Sequence, residues 1–243
     1  MKAIILAAGY ATRLYPLTLD KPKALLPIKG NPILDYTLSK IQEIGEIDSV
    51  FIITNTSFYG ILVDYVEKNF SRFSFNLSVL NDGTYSNETR LGGIGDLWHC
   101  IREEGINDDV LVLNSDNLFD FSLKGIVELF KQKRSVVNGV YGVDSSEEAK
   151  RHGVVELLED RIVGFEEKPD KPKTLLTSIG VYIFPRDYLF KIGEYLREGN
   201  NKDSPGNLVK YFVDRFEVFA YLFQGRLFDI GNLETYKRID EVW

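Results

Sequence analysis

Over the first 134 residues, short all-apolar runs alternate with helix-length amphipathic stretches, and this alternation constrains the fold more than any other feature of the chain. "KAIILA" from Lys2, "SVFIIT" at 49–54, "FNLSVL" at 75–80 and "DVLVLNSD" at 109–116 read as buried strands. Between them lie "NPILDYTLSKIQEIG", "SFYGILVDYVEKNF" and a stretch near 94–104, each with helical spacing. The first has Asn31 as expected N-cap, Pro32 in its first turn and Gly45 past its end, with Leu34, Leu38 and Ile41 on one face. The second is expected to carry Ile61, Leu62, Tyr65 and Val66 inward. The alternation predicts an α/β fold with a Rossmann-like mixed, mostly parallel central sheet and helices on both faces.

From about Ser135 the pattern changes. "SVVNGVYGV", "GVVELLE", "RIVGFEEK" and "TSIGVYIF" follow one another with little helix between them, which predicts strands added in mixed or antiparallel sense. Helical stretches at 186–198 and 205–215, a strand "FEVFAYLF", and a loop and helix over "FDIGNLETYKRIDEVW" complete the chain. No Ser/Gly/Pro-rich linker separates the two patterns, so residues 1–243 are expected to form one domain with two halves, 1–134 and 135–243.

Charge narrows the partners. With 36 acidic and 29 basic residues spread along the chain, the net charge is −7, which argues against a nucleic-acid partner. An acidic protein still binds polyphosphate where a local basic pocket or a divalent metal supplies the charge. Cys100 is the only cysteine, excluding an intramolecular disulfide and a cysteine metal cluster, so a reduced, cytoplasmic setting is expected. No apolar run approaches the roughly 18 residues of a membrane span, and Gly9, Tyr10, Thr12 and Arg13 follow the first run where a signal peptide would be cleaved. The mature chain is therefore expected to begin at Met1, with no membrane partner. His99 and His152 are too isolated for a histidine metal site, Ser115 lacks a G-x-S-x-G setting, and Trp98 is expected to pack.

The segment "LAAGYATRLYPLTLDKPKALLP", residues 6–27, concentrates the chemistry. A strand running into Gly9 and small residues lets backbone amides approach an anion at the sheet's carboxyl edge. Arg13 offers a bidentate fork for phosphate and Lys23 a mobile point charge. An ordinary strand-to-helix turn with surface cations fits the same residues. Neither G-x-x-x-x-G-K-[ST] nor G-x-G-x-x-G is present, which weakens a nicotinamide-binding reading. Taken singly, Asp116 and Asp229 either begin turns or present carboxylates, and Lys168 before Pro169 is either a solvated turn lysine or a phosphate ligand.

Together these segments resemble the sugar-phosphate nucleotidyltransferases, whose signature runs as L-A-G-G-x-G-T-R-L and then P-K-x-L-x-P. Ala8 and Ala11 stand where that pattern usually has glycine. Later matches follow in the family's order: "VLNSDNLFD" with Asp116, "GVVELLED" with Gly153 and Glu156, "GFEEKP" with Glu167 and Lys168, "SIGVYIF" with Gly180, and "FDIGNLETY" with Asp229. The resemblance spans Lys2 to about Ile239. It implies that Leu6, Ala8, Gly9, Ala11, Thr12 and Arg13 hold a nucleoside triphosphate, with Arg13 and Lys23 catalytic. It implies that Gly153, Glu167, Lys168 and Gly180 line a sugar-phosphate side, and that Asp116 and Asp229 hold Mg2+. In the region of the nucleobase contacts, Gly93 takes the glycine place and Asp96 the polar place one turn later, after a polar stretch from Asn81 to Arg90 that reads either as a lid or as a surface loop.

The reaction so implied joins a nucleoside triphosphate to a sugar 1-phosphate and releases pyrophosphate, most closely of the glucose-1-phosphate thymidylyl or uridylyl type. Two alternatives remain open: cytidylyl or guanylyl transfer to another phosphorylated alcohol or sugar, and a non-catalytic protein that binds nucleotide sugars. The chain reads as a minimal catalytic domain, and its oligomeric state is not legible.

Overall fold

The computed structural model describes residues 1–243 apart from the side chain of Asp240. Strand β1 (Lys2–Leu6) gives way to a long loop and then to a small hairpin of β2 (Pro27–Ile28) and β3 (Asn31–Pro32). Helix α1 (Ile33–Ile44), β4 (Ser49–Thr54), α2 (Thr56–Asn69) and β5 (Asn76–Asn81) follow, and α3 (Gly93–Glu103) returns the chain to β6 (Val110–Asn114). Next come β7 (Asn117–Phe119), α4 (Lys124–Lys133), β8 (Val136–Gly142), the short α5 (Ser146–Ala149), β9 (Gly153–Leu158) and β10 (Arg161–Glu167). The last elements are β11 (Leu176–Phe184), α6 (Leu189–Arg197), α7 (Pro205–Val213), β12 (Val218–Leu222), β13 (Leu227–Asp229) and α8 (Leu233–Val242).

Helix ends show which local signals prevail. Gly45 caps α1 at φ 77°, as its position after the last periodic residue predicts. Asn31 does not cap the same helix: it pairs with Ile28 in the hairpin, Pro32 takes the cap position and the helix begins at Ile33. On α2, Leu62 and Tyr65 are buried and Val66 packs against the core, but Ile61 is exposed on the far side.

Among the described residues, nine strands form one sheet in the order β5-β4-β1-β6-β11-β8-β12-β10-β9, so a single sheet runs through both halves. The pairs β5–β4, β4–β1 and β1–β6 are parallel. Successive strands step outward from β1 to β5, and α3 then carries the chain back to the other side of β1. The crevice beyond the carboxyl ends of β1 and β6 thus lies where the strand order reverses, the usual ligand position in open α/β sheets.

Beyond β6 the expectation of a mostly parallel sheet fails. β11 is antiparallel to β6 and β8, and β10 is antiparallel to β9 and β12. Only β8–β12 is parallel there. β9 also pairs with β11, closing β11, β8, β12, β10 and β9 into a small ring. The reason is connection length: only two residues link β9 to β10, too few for any but an antiparallel pairing.

Alternate strand residues feed two apolar layers. Ala3, Ile5, Leu111 and Leu113 join Leu38 of α1, Leu62 of α2 and Phe130 of α4, while Ile4, Val110 and Val112 join Leu97 of α3, Ile192 of α6 and Phe212 of α7. Each large side chain so buried contributes about 1.5–3 kcal/mol. A third cluster, Leu14, Leu26, Ile28, Ile33, Leu118, Ile230 and Ile239, gathers the loop after β1, the hairpin, β7 and α8. That cluster fixes the segments around the crevice.

Candidate active site

The exit of β1 is clamped from β4. The Ala7 amide donates to the Ile53 carbonyl at 2.9 Å, and the Thr54 hydroxyl donates to the Ala7 carbonyl at 3.3 Å. The fully buried Asn55 donates from Nδ2 to the Ala8 carbonyl at 2.9 Å and accepts the Phe58 amide as N-cap of α2. Asn55→Ala is expected to cost about 1–3 kcal/mol in denaturant unfolding, because it removes a cap and leaves the Ala8 carbonyl without its partner.

Past this clamp the backbone opens. Gly9 is exposed, and the space its missing Cβ would occupy is empty. Among the described residues, the amides of Gly9, Tyr10 and Ala11 donate to no protein acceptor, leaving donors for an anion. Ala11 stands in the left-handed region at φ 48°, ψ 39°, with its carbonyl held at 2.9 Å by the buried Thr18 hydroxyl. This conformation costs an alanine about 1 kcal/mol or more. Ala11→Gly is therefore expected to leave unfolding stability unchanged or raise it by up to about 1 kcal/mol, the relieved strain being partly offset by the freer unfolded chain.

Thr12 and Arg13 follow in an exposed single turn. Lys23, 13% exposed, reaches across 93 residues of sequence to place Nζ 3.1 Å from Oδ2 of Asp116. Asp116 lies between β6 and β7, and its carbonyl accepts the Ile230 amide at 3.0 Å. The antiparallel β7–β13 pair puts Asp229 opposite Asn117, so the two aspartates converge. Asp229 is open at the mouth of the crevice and crowded behind it. Burial against the surrounding chain, and then the Asp116 charge, push its carboxyl above the ordinary range, while Lys23, His152 and Arg13 oppose the shift.

This electrostatic pattern suits a divalent cation. Among the described residues no three His, Cys, Asp or Glu side chains group as a metal cage. Two repelling carboxylates do fit magnesium, which commonly takes one or two carboxylates together with substrate phosphates.

The second half supplies the opposite wall. Gly180, at φ 70°, lies in β11 directly against the Asn114 side chain at the end of β6. Glu167 ends β10 opposite Gly153 of β9 and packs over both Gly153 and Gly206. Lys168 is exposed, 3.8 Å from Glu167, and like Ala11 holds a left-handed backbone, φ 49°. Glu156 turns to an ion pair with Lys173 at 2.7 Å.

At α3 the geometry is more committed than a free glycine edge. The Gly93 and Ile94 amides donate to the carbonyls of Asp203 and Lys202, at 3.0 and 2.9 Å. Arg90 forks both oxygens of Asp203, at 3.1 and 3.0 Å. The 81–90 stretch is thus strapped to the segment before α7, with Asp82 and Thr84 buried and Tyr85 exposed. Asp96 is buried and faces Asp82. Sequence reading missed Asn55, Asp82 and Thr84, although an Asn-Thr pair directly after a strand and before a helix is a cap signal.

The sheet is thus a mixed α/β one, parallel on one side and closed into a ring on the other, with the Gly9 loop and the Lys23–Asp116 pair beyond its parallel strands. The chain belongs to the nucleotidyl transferase family, whose family model matches residues 2–241. It is 30% identical over 240 residues to a Sulfolobus acidocaldarius protein named "Putative mannose-1-phosphate guanyltransferase", covering 99% of this chain and 62% of that one. A glucose-1-phosphate adenylyltransferase of Mycoplasma mobile is also 30% identical, over 97% of this chain and 65% of its own length. The chain therefore spans a little under two-thirds of these curated relatives. A crystal structure of UDP-glucose pyrophosphorylase complexed with UDP-glucose superposes with a TM-score of 0.83 at 25% identity, covering 99% of this chain and 97% of that one. Among the described residues no helix is long and apolar enough to cross a membrane.

Proposed function

We propose that this chain transfers a nucleotidyl group from a nucleoside triphosphate to a sugar 1-phosphate, giving a nucleotide sugar and pyrophosphate. The observation that carries the reading is the Lys23–Asp116 pair, with Asp229 and Arg13 in electrostatic reach, beside the unpaired amides of Gly9 to Ala11. A phosphate oxygen of the sugar 1-phosphate attacks the α-phosphorus, and the bond to pyrophosphate breaks. The nucleophile is already anionic at neutral pH, so no general base is needed. The obstacle is the meeting of two polyanions in line, which positioning and charge must overcome.

Each charged residue then has a task. Arg13 steadies the departing pyrophosphate and Lys23 the α-phosphate, while Lys168 receives the incoming sugar phosphate. Leu6, Ala8, Gly9, Ala11 and Thr12, with Gly93 at α3, shape the nucleotide side; Gly153, Glu167 and Gly180 shape the sugar side. Asp116 and Asp229 would hold magnesium, which when bound offsets phosphate charge. On this reading residues 1–134 form the nucleotide-binding half and 135–243 the sugar-phosphate half.

The named relatives transfer different bases, so the thymidylyl or uridylyl preference rests on the sequence resemblance alone. A panel of ATP, GTP, CTP, UTP and dTTP against glucose 1-phosphate, mannose 1-phosphate and phosphocholine, read by magnesium-dependent pyrophosphate release, tests all of it. Release with a sugar 1-phosphate is the expected result. Release only with phosphocholine would move the acceptor class, and tight nucleotide binding without release across the panel would make this a binding protein.

A further inference from the structure

The exit of β5 and the first turn of α3 meet through two carboxyl groups that the proposed chemistry does not use. Asp82 and Asp96 are each only 6% exposed. Asp82 Oδ1 accepts the Thr84 amide at 2.7 Å, and its two oxygens lie 2.8 and 2.9 Å from the Thr84 hydroxyl. With its one hydrogen directed at Asp82, that hydroxyl is left to accept from the Tyr10 hydroxyl, 3.2 Å away. A continuous line of hydrogen bonds thus runs from the residue after Gly9 to Asp82.

Asp96 lies at the end of this line. Its carboxyl faces Asp82, and its Oδ1 is buried without a partner in the protein. Like charges buried together are unfavourable, and no protein donor reaches the Asp96 Oδ1, so a proton on Asp96 relieves the site. Burial first, then the neighbouring Asp82 charge, push the Asp96 carboxyl up to about 8, with Asp203 adding to the shift and Lys202 opposing it. On the far side, burial and the charges of Asp82, Asp96 and Glu88 raise the Tyr10 phenol, although its bond to Thr84 opposes them, so Tyr10 stays a donor.

We propose that the buried Asp82–Asp96 pair is a positioning element for the nucleotide, holding the Tyr10 loop and the start of α3 at one spacing, so that nucleotide affinity falls when Asp96 is ionised. The proposal rests on the nucleotidyltransferase reading above. Neither aspartate touches the reacting atoms; both act through Tyr10, Thr84 and the α3 backbone.

The test measures KM for the nucleotide and its Kd by titration calorimetry between pH 7 and 9. One pH unit above the midpoint about one molecule in eleven keeps the proton, so wild-type KM and Kd are expected to rise roughly tenfold, with kcat moving less. Asp96→Asn supplies an amide donor to Asp82 at every pH and is expected to flatten the profile; Asp96→Ala raises Kd throughout. Tyr10→Phe, which cuts the line at its other end and is spared any buried charge, is expected to raise Kd several-fold at pH 7. A flat wild-type profile, or an Asp96→Asn profile that climbs like the wild type, overturns the positioning role while leaving the proposed function intact. A wild type that neither binds nor turns over nucleotide at any pH overturns both.

Discussion

Asp116→Asn is expected to lower kcat by about 10²-fold or more in magnesium-dependent pyrophosphate release, without lowering the thermal midpoint. The two halves of this expectation have different causes. Activity falls because Asn removes one of the two charges proposed to hold the metal and also releases Lys23, now aligned by its 3.1 Å bond to Asp116. Stability holds because Asp116 repels Asp229, whose carboxyl is already pushed up by burial and by that charge. Removing a like charge beside a crowded carboxylate relieves the folded state, and the lost Lys23 pair is partly open to water, where such pairs contribute only about 0–1 kcal/mol. Arg13→Ala should match the loss of turnover while keeping the fold: among the described residues its side chain is exposed and makes no protein hydrogen bond or ion pair, so its removal breaks no packing contact. Differential scanning fluorimetry beside the kinetic assay checks both. A midpoint that drops by several degrees would assign Asp116 to the scaffold, and wild-type-like turnover in either variant would remove that residue from the mechanism.

What could be read before the structure depended on whether the determining forces were local. The β1–Gly9 junction and the Gly45 cap were legible because an apolar run meeting a glycine is a signal contained in a few residues. Helix α4 was missed although Ser122 precedes it and Lys131 and Lys133 fill its last turn, because its remaining marks are weak: Leu123 caps it without a side-chain bond, Gly125 weakens its first turn, and Arg134 takes the left-handed terminal position that glycine normally fills. Asn31 gave the right signal for the wrong element, because pairing with Ile28 outweighed its capping preference. Ring closure by β9 and β11 was out of reach for another reason. It is a non-local pairing between strands whose apolar pattern fits either neighbour sense. At the site, the motifs named Arg13, Lys23, Asp116 and Asp229 singly, but the Lys23–Asp116 bond and the Asp116–Asp229 repulsion come only from folding distant segments together. Asp96 shows the opposite limit. A polar residue in the first turn of a helix reads as a nucleobase contact until it is found buried and facing Asp82.

Gly180→Ala should destabilise the fold by about 2–5 kcal/mol and reduce turnover in the fraction that remains folded. Two costs add. At φ 70° an L-residue is strained by about 1–2 kcal/mol, and a Cβ there would stand 2.7 Å from Cγ of Asn114, an overlap that a packed core relieves only at about 1–3 kcal/mol. Asn114 cannot retreat freely, because it ends β6 in register with Leu6 of β1, two residues before Asp116. The displacement would therefore pass to the aspartate, which is why kcat should fall along with stability. Gly9→Ala is the informative companion. Its Cβ meets nothing within 4 Å, and its backbone lies outside the left-handed region, so stability in denaturant unfolding should match the wild type or exceed it by up to about 1 kcal/mol. Yet the added methyl would enter the space above the unpaired amides, the proposed approach of the triphosphate, and KM for the nucleotide should rise with stability undiminished. If both variants instead lost stability equally, the Gly9 loop would be packed structure rather than an open cradle. If neither lost turnover, the crevice between β1, β6 and β11 would not be where the reaction occurs.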